Sequence, residues 1–301
     1  MHNNKQTSQT QRALLIAGTA NVIWGFSFMA TRVGIEHTSS SILLSARFTC
    51  SMLIMLALIA AGIGKVNLKG KPLGRFILMG LCEPVIYFIA ETEGIRRTTS
   101  SFSGLMISLI PISTALLSVV FLHEHLSAKR FAWILCSVTG VAIISVNQTG
   151  EGVISLSGIL YLLVAIVSAS FFTVLSRSIS DVFSPFERTF IMMVMGFIAF
   201  TGSAIISEGR DFLPSMVSAM QDKYVILPVL FLSVICSVAA FFCFNYAATV
   251  LEVSRIAVLA NITPVVSVLA GTIFLKEPFT PVCIIGIILI LTGVYMVNKV
   301  E

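Results

Sequence analysis

Apolar runs of about 17 to 25 residues, parted by short polar breaks, recur from one end of the chain to the other, and runs of that length cross a bilayer as helices. Ten are read, over 13–33, 42–63, 74–95, 100–122, 129–147, 156–177, 186–207, 224–247, 253–275 and 280–298. Only the opening MHNNKQTSQTQR and a few short loops are continuously polar, which leaves no room for a separate soluble domain. That polar start has no short apolar core ending in a small-residue cleavage site, so the first helix is expected to be retained. The pattern predicts an all-α integral membrane protein of ten transmembrane helices.

Composition agrees, with 56% hydrophobic residues, 11% charged and a mean hydropathy of +0.98, far from a soluble domain's usual quarter of charged residues. The net charge of +5 reads as a topology signal rather than as nucleic-acid binding. Cytoplasmic loops retain Lys and Arg. An inside N-terminus places Lys5, Arg12, Lys65, Lys69, Lys71, Arg75, Lys129, Arg130, Arg177, Arg188, Arg255 and Lys299 on that side. Arg32, Arg96, Arg97, Arg210, Lys223 and Lys276 face the other side, with Arg47 inside the second span. Both termini are therefore expected in the cytoplasm of a plasma membrane, in a bacterial-type cell. The six cysteines all fall inside predicted spans with no CxxC pair, and read as small buried apolar residues.

Sliding the chain on itself by 153 residues matches Phe88 with Phe241, Ser101 with Ser254, Pro111 with Pro264 and Phe121-Leu122 with Phe274-Leu275. The same shift sets Glu124 on Glu277 and Thr139-Gly140-Val141 on Thr292-Gly293-Val294. The first two helices of each half align at an offset nearer 141 to 143, which brings Arg47 to Arg188. The chain is thus read as a duplicated five-helix unit, over 13–147 and 156–298. Because five is odd, the second copy enters the membrane inverted, an architecture that lets one fold open to either side. The repeated phrases LHEHLS (122–127) and LKEPFT (275–280) read as structural, each Glu accepting backbone donors at the start of the next short helix.

The half-repeat pattern of Pro111, Phe121-Leu-His-Glu124, Leu126-Ser127 and Gly140-Val141 returns as Asn261-Ile-Thr-Pro264, Phe274-Leu-Lys-Glu277 and Gly293-Val294. It resembles the EamA type of the drug/metabolite transporter superfamily. Trp24-Gly25-Phe-Ser27-Phe28 and Phe244-Asn245-Tyr246-Ala247 are similar to patterns of the same family, and the likeness covers residues 13 to 298. The resemblance implies ten helices around a central cavity, alternating access, and substrates among amino acids and other metabolites; it does not imply which.

Transport chemistry is sought where the spans depart from hydrocarbon, since a charged side chain at mid-bilayer costs roughly 2.5–3.5 kcal/mol even on insertion scales. The third span, LMGLCEPVIYFIAETEG, is the richest. On an unbroken helix Tyr87 lies about 40° and Glu91 about 80° from Glu83, so the three share a face. Pro84 removes a backbone donor and is expected to bend the helix, freeing a carbonyl. Glu83 reads either as a cavity-lining proton or substrate site or as a neutral carboxyl bonded between helices. Glu91 reads either as functional or as the salt-bridge partner of Arg47 or Arg97. Opposite this face are placed Asn21, Trp24, Gly25 and Phe28, an arc of about 100° on the first helix. Trp24 offers a flat surface to an aromatic or quaternary ammonium group, or simply packs. Asn245, Tyr246, Asn261 and Thr263 supply polar groups in the second half, for substrate or for bonds between helices. Arg47 either snorkels outward or balances a glutamate.

His123-Glu124-His125 lacks the four-residue spacing that puts two histidines on one helix face, so no metal is expected. No GxxxxGK[ST] cradle occurs, so ATP is not the direct power source, and neither a cofactor nor enzyme activity is expected. The partners are a small-molecule substrate and the lipid bilayer, with protons as coupling ion because burial favours a neutral carboxyl, in a monomer or homodimer. The expectation is a secondary transporter, working as an exporter, for an amino acid or related amphoteric or cationic compound. The alternatives are an importer of a cationic metabolite, or a non-transporting sensor or assembly factor on the same fold.

Overall fold

The computed structural model of the chain describes residues 2–122, 127–150, 154–251, 259–260, 262–277 and 279–299. His123, Glu124, His125, Ser254 and Asn261 lie outside the described residues. The described residues form ten apolar helices in succession, six of them long enough to cross a membrane. They are α1 (His2–His37), α2 (Ser40–Ala60), α3 (Leu73–Arg96), α4 (Ser100–Ile107, resumed as Ile110–Leu122), α5 (Ala128–Gly150) and α6 (Leu156–Ser178). The remainder are α7 (Pro185–Glu208), α8 (Lys223–Val250), α9 (Ile262–Phe274) and α10 (Pro281–Lys299). A further short helix, Phe212–Gln221, joins α7 to α8.

The helices start where the sequence supplies caps. The hydroxyls of Ser39, Thr99 and Ser155 accept from the backbone N–H groups of Ile42, Phe102 and Gly158, at the heads of α2, α4 and α6. At α7, Ser184 and Glu187 form a reciprocal capping box with Pro185 in the first turn. Each arrangement satisfies donors that a helix start leaves orphaned.

Helix packing displays the duplication. α2 lies on α7 and α5 on α10, each helix against its own repeat counterpart. The other contacts come in exchanged pairs: α1 on α8 and α6 on α3, α1 on α9 and α6 on α4, α2 on α8 and α7 on α3. This is the pattern of a two-fold axis relating two five-helix units, and since short connections force successive spans to alternate direction, the units are inverted. The rings of Phe88 and Phe241, counterparts in the two halves, lie 6.2 Å apart, next to that axis. Small residues bring α5 and α10 together: a side chain on Gly140 would meet the Gly286 carbonyl at 2.6 Å, and one on Gly293 would strike Ser137.

Besides the pause in α4, two helices carry π segments at midspan among the described residues. In α3, residues Leu81–Ile86 form a π turn, Glu83 takes the non-helical angles φ −141° and ψ 117°, and the Glu83-Pro84 peptide is cis. In α8, the counterpart by position, Phe231–Ala240 is also a π segment, shortly after Pro228. Insertions of this kind inside α-helices gather at functional sites.

Candidate functional site

The π turn decides what α3 presents. Pro84 gives no N–H, and at the break the Cys82 carbonyl accepts the Ser168 hydroxyl of α6 at 2.7 Å. That carbonyl also accepts the Tyr87 backbone N–H in the π turn, so it is shared between its own helix and the other half of the molecule. The break also ends the constant 100° step on which the shared face was drawn, yet Glu83, Tyr87 and Glu91 are all buried, at 7%, 7% and 3% exposure. The Tyr87 hydroxyl donates to Glu91 Oε1 at 2.8 Å. Glu93 points away and meets Arg97 at 3.1 Å, as a solvated outer end would.

Arg47 does not snorkel. It is 2% exposed on α2, its Nε donates to Ser237 Oγ of α8 at 2.9 Å, and its guanidinium carbon lies 4.1 Å from the centre of the Phe88 ring. Glu83, Tyr87 and Glu91 act on it electrostatically, but among the described residues no carboxylate forms an ion pair with it. The expected salt bridge to Glu91 is absent: a tyrosine holds the acid and an aromatic face holds the base.

The arc predicted on α1 divides, because α1 is wedged between α8 and α9 and has neighbours on two sides. Trp24 turns to α8, donating to the Cys236 carbonyl at 3.3 Å, with its ring tilted against those of Phe241 at 5.1 Å and Phe244 at 5.4 Å. Through Phe241 it joins the Phe88 ring and so the charged group. Asn21 turns to α9, where Thr263 Oγ1 donates to Asn21 Oδ1 at 3.0 Å and Gly25 abuts Val266. Phe28 is buried beside Gly104 of α4.

In the second half, Asn245 is fully buried and fully used: its amide donates to Thr189 Oγ1 at 3.0 Å, and its side-chain oxygen accepts from Ser176 at 3.0 Å. The Asn245 carbonyl takes a hydrogen bond from Arg188 Nη2 at 2.6 Å. Arg188 Nη1 donates to the carbonyl and hydroxyl of Ser176, both at 3.0 Å. Tyr246 is half-buried against the main core. Sequence reasoning missed this Arg188 nest because two of its three acceptors are backbone carbonyls, which carry no residue signature.

Glu277 also differs in address. Its carboxylate accepts from the backbone N–H groups of Ser100 at 2.7 Å and Ser101 at 2.9 Å, and from the Ser101 hydroxyl. It caps α4 in the first half rather than the helix that follows it, and so ties the halves together.

Two inverted five-helix units meeting at buried acids, a buried base and an aromatic cluster define a multi-pass membrane transporter. The model of the EamA-like transporter family matches residues 11–146 and again 156–299, and the chain belongs to that family. An uncharacterized transporter of Archaeoglobus fulgidus is 27% identical over 92% of this chain and 95% of its own length. A probable amino-acid metabolite efflux pump of Salmonella typhimurium is 22% identical over 91% of each chain. A solved crystal structure at 20% identity covers 95% of this chain and 96% of the other with a TM-score of 0.65, and shares the fold.

Proposed function

We propose that the protein is a secondary transporter exporting a small metabolite, an amino acid or a related amphoteric or cationic compound, from the cytoplasm by alternating access. Its two repeats are taken as 13–147 and 156–298, with both termini at the cytoplasmic face of a plasma membrane. Glu83, Tyr87 and Glu91 form the binding and coupling group, Trp24, Phe28 and Tyr246 supply apolar and aromatic surface, and Asn21 and Asn245 hold the flanking helices.

The observation that carries this reading is the Tyr87–Glu91 hydrogen bond beside Glu83, at the midspan break of α3. Carboxyls at that depth are costly, and nothing in the fold's packing requires two of them. A cationic group entering the site would take over the hydrogen-bonding oxygen of Glu91, and protons would take the place of the cation on the return. The Salmonella relative's name as an amino-acid metabolite efflux pump supports both the substrate class and the direction.

The test is flux into proteoliposomes holding purified protein, with amino acids and amines offered under a proton gradient, preceded by a thermal-shift screen, since a ligand that binds only the folded state must stabilise it. Gradient-dependent accumulation of a screened ligand is expected. A sensor or assembly factor on this fold would bind and give no flux.

A further inference from the structure

Resting on the reading above, the geometry points to Arg47 as the group that receives a carboxylate of the substrate, so that the substrate is amphoteric, with its ammonium group toward Glu91 and its carboxylate on the guanidinium fork.

Arg47 is a buried base with unspent capacity. Only its Nε donates to a described residue, the hydroxyl of Ser237. Among the described residues nothing accepts from its two terminal nitrogens, which are the ones that grip a carboxylate in parallel. Its counterpart Arg188 shows how this fold treats a guanidinium kept for structure, with both terminal nitrogens delivered to Ser176 and Asn245. The same position in the first half lacks such acceptors and has instead the Phe88 ring at 4.1 Å and the Phe48 ring at 5.4 Å. A ring under a guanidinium fixes its plane without occupying its donors.

One fixed base lies in electrostatic range of two acids, so the group can meet a substrate's ammonium on a carboxylate and the same substrate's carboxylate on the guanidinium.

The experiment compares L-phenylalanine, L-leucine and L-lysine with their decarboxylated amines, phenethylamine, isoamylamine and cadaverine, by thermal shift and by counterflow in proteoliposomes. At least one amino acid is expected to bind wild-type protein about tenfold or more tightly than its amine. Arg47→Gln abolishes that preference by losing the amino acid, and Arg47→Lys, which keeps the charge and loses the fork, falls between. The wild-type comparison stands even where a variant folds poorly. Amines that bind or exchange as well as their amino acids overturn the role of Arg47 and leave the transport reading intact, as does a preference that survives in Arg47→Gln. Binding of neither class overturns the reading of the substrate itself.

Discussion

Arg47 and Arg188 occupy matching places in the two repeats, are buried to the same degree, and are treated oppositely. Arg188 is held at the junction of α6, α7 and α8 by the Ser176 carbonyl and hydroxyl and the Asn245 carbonyl. Arg47 rests on an aromatic ring, with Glu83, Tyr87 and Glu91 in its field. Duplication supplied two equivalent guanidinia; one half gives both terminal nitrogens of its own to fixed acceptors and leaves only its Nε without a partner among the described residues, and the other engages only its Nε. The proposed transport chemistry therefore draws on α2 and α3 although the fold is symmetric.

The comparison breaks first at Arg188. Arg188→Gln strands buried carbonyls of Ser176 and Asn245, and a loss of about 2–4 kcal/mol of stability is expected, seen as a lower melting temperature and lower folded yield. Arg47→Gln, which releases one hydroxyl, is expected to cost less in the same measurement. Where the halves are alike they should respond alike. Gly140→Leu and Gly293→Leu both force side chains into the α5–α10 contact, and each is expected to cost about 1–3 kcal/mol. Normal folded yield from either would remove the packing argument.

Glu83→Gln keeps shape and hydrogen-bonding capacity and removes titration. It is expected to reach the membrane with a stability change under about 1 kcal/mol, to lose accumulation driven by a proton gradient, and to retain substrate exchange. Gradient-driven transport with an unchanged pH dependence would transfer coupling to Glu91. The smallest effect is expected at Asp222, on the surface between the short helix and α8. The Tyr224 backbone N–H, and after it His37, hold the Asp222 carboxyl below its usual range. A depressed carboxyl stabilises the fold above its unfolded value and loses that contribution as pH falls through its folded value. Melting temperature should drop slightly on acidification in wild type, and Asp222→Ala should flatten that slope.

The spans were legible because bilayer thickness imposes a length on every apolar run: 186–207 became Pro185–Glu208 and 156–177 became Leu156–Ser178. The repeat was legible because Pro111, Gly140 and Glu124 return at one spacing. The breaks in the helices were not legible beyond the bend expected at Pro84: Glu83 leaves helical angles in α3, and α4 pauses at Ser108 and Leu109, within apolar runs that look continuous. The partners of Glu277 and Arg188 were hidden for another reason. Their acceptors or donors are mostly backbone groups of distant segments, and backbone groups are the same in every sequence. Arg47 was legible as an anomaly, a base inside a span, but whether it meets water, Glu91 or a ring depends on packing between helices.

The contrast between the two arginine environments is tested most directly by counterflow of a screened amino acid, measured per folded molecule in Glu91→Gln and Arg188→Gln. The account predicts that Glu91→Gln folds at near wild-type yield and transports at about a tenth of the wild-type rate or less, while the folded fraction of Arg188→Gln, reduced in amount, transports like wild type. Wild-type transport by Glu91→Gln, together with loss of transport in well-folded Arg188→Gln, would place the chemistry in the other half and contradict it.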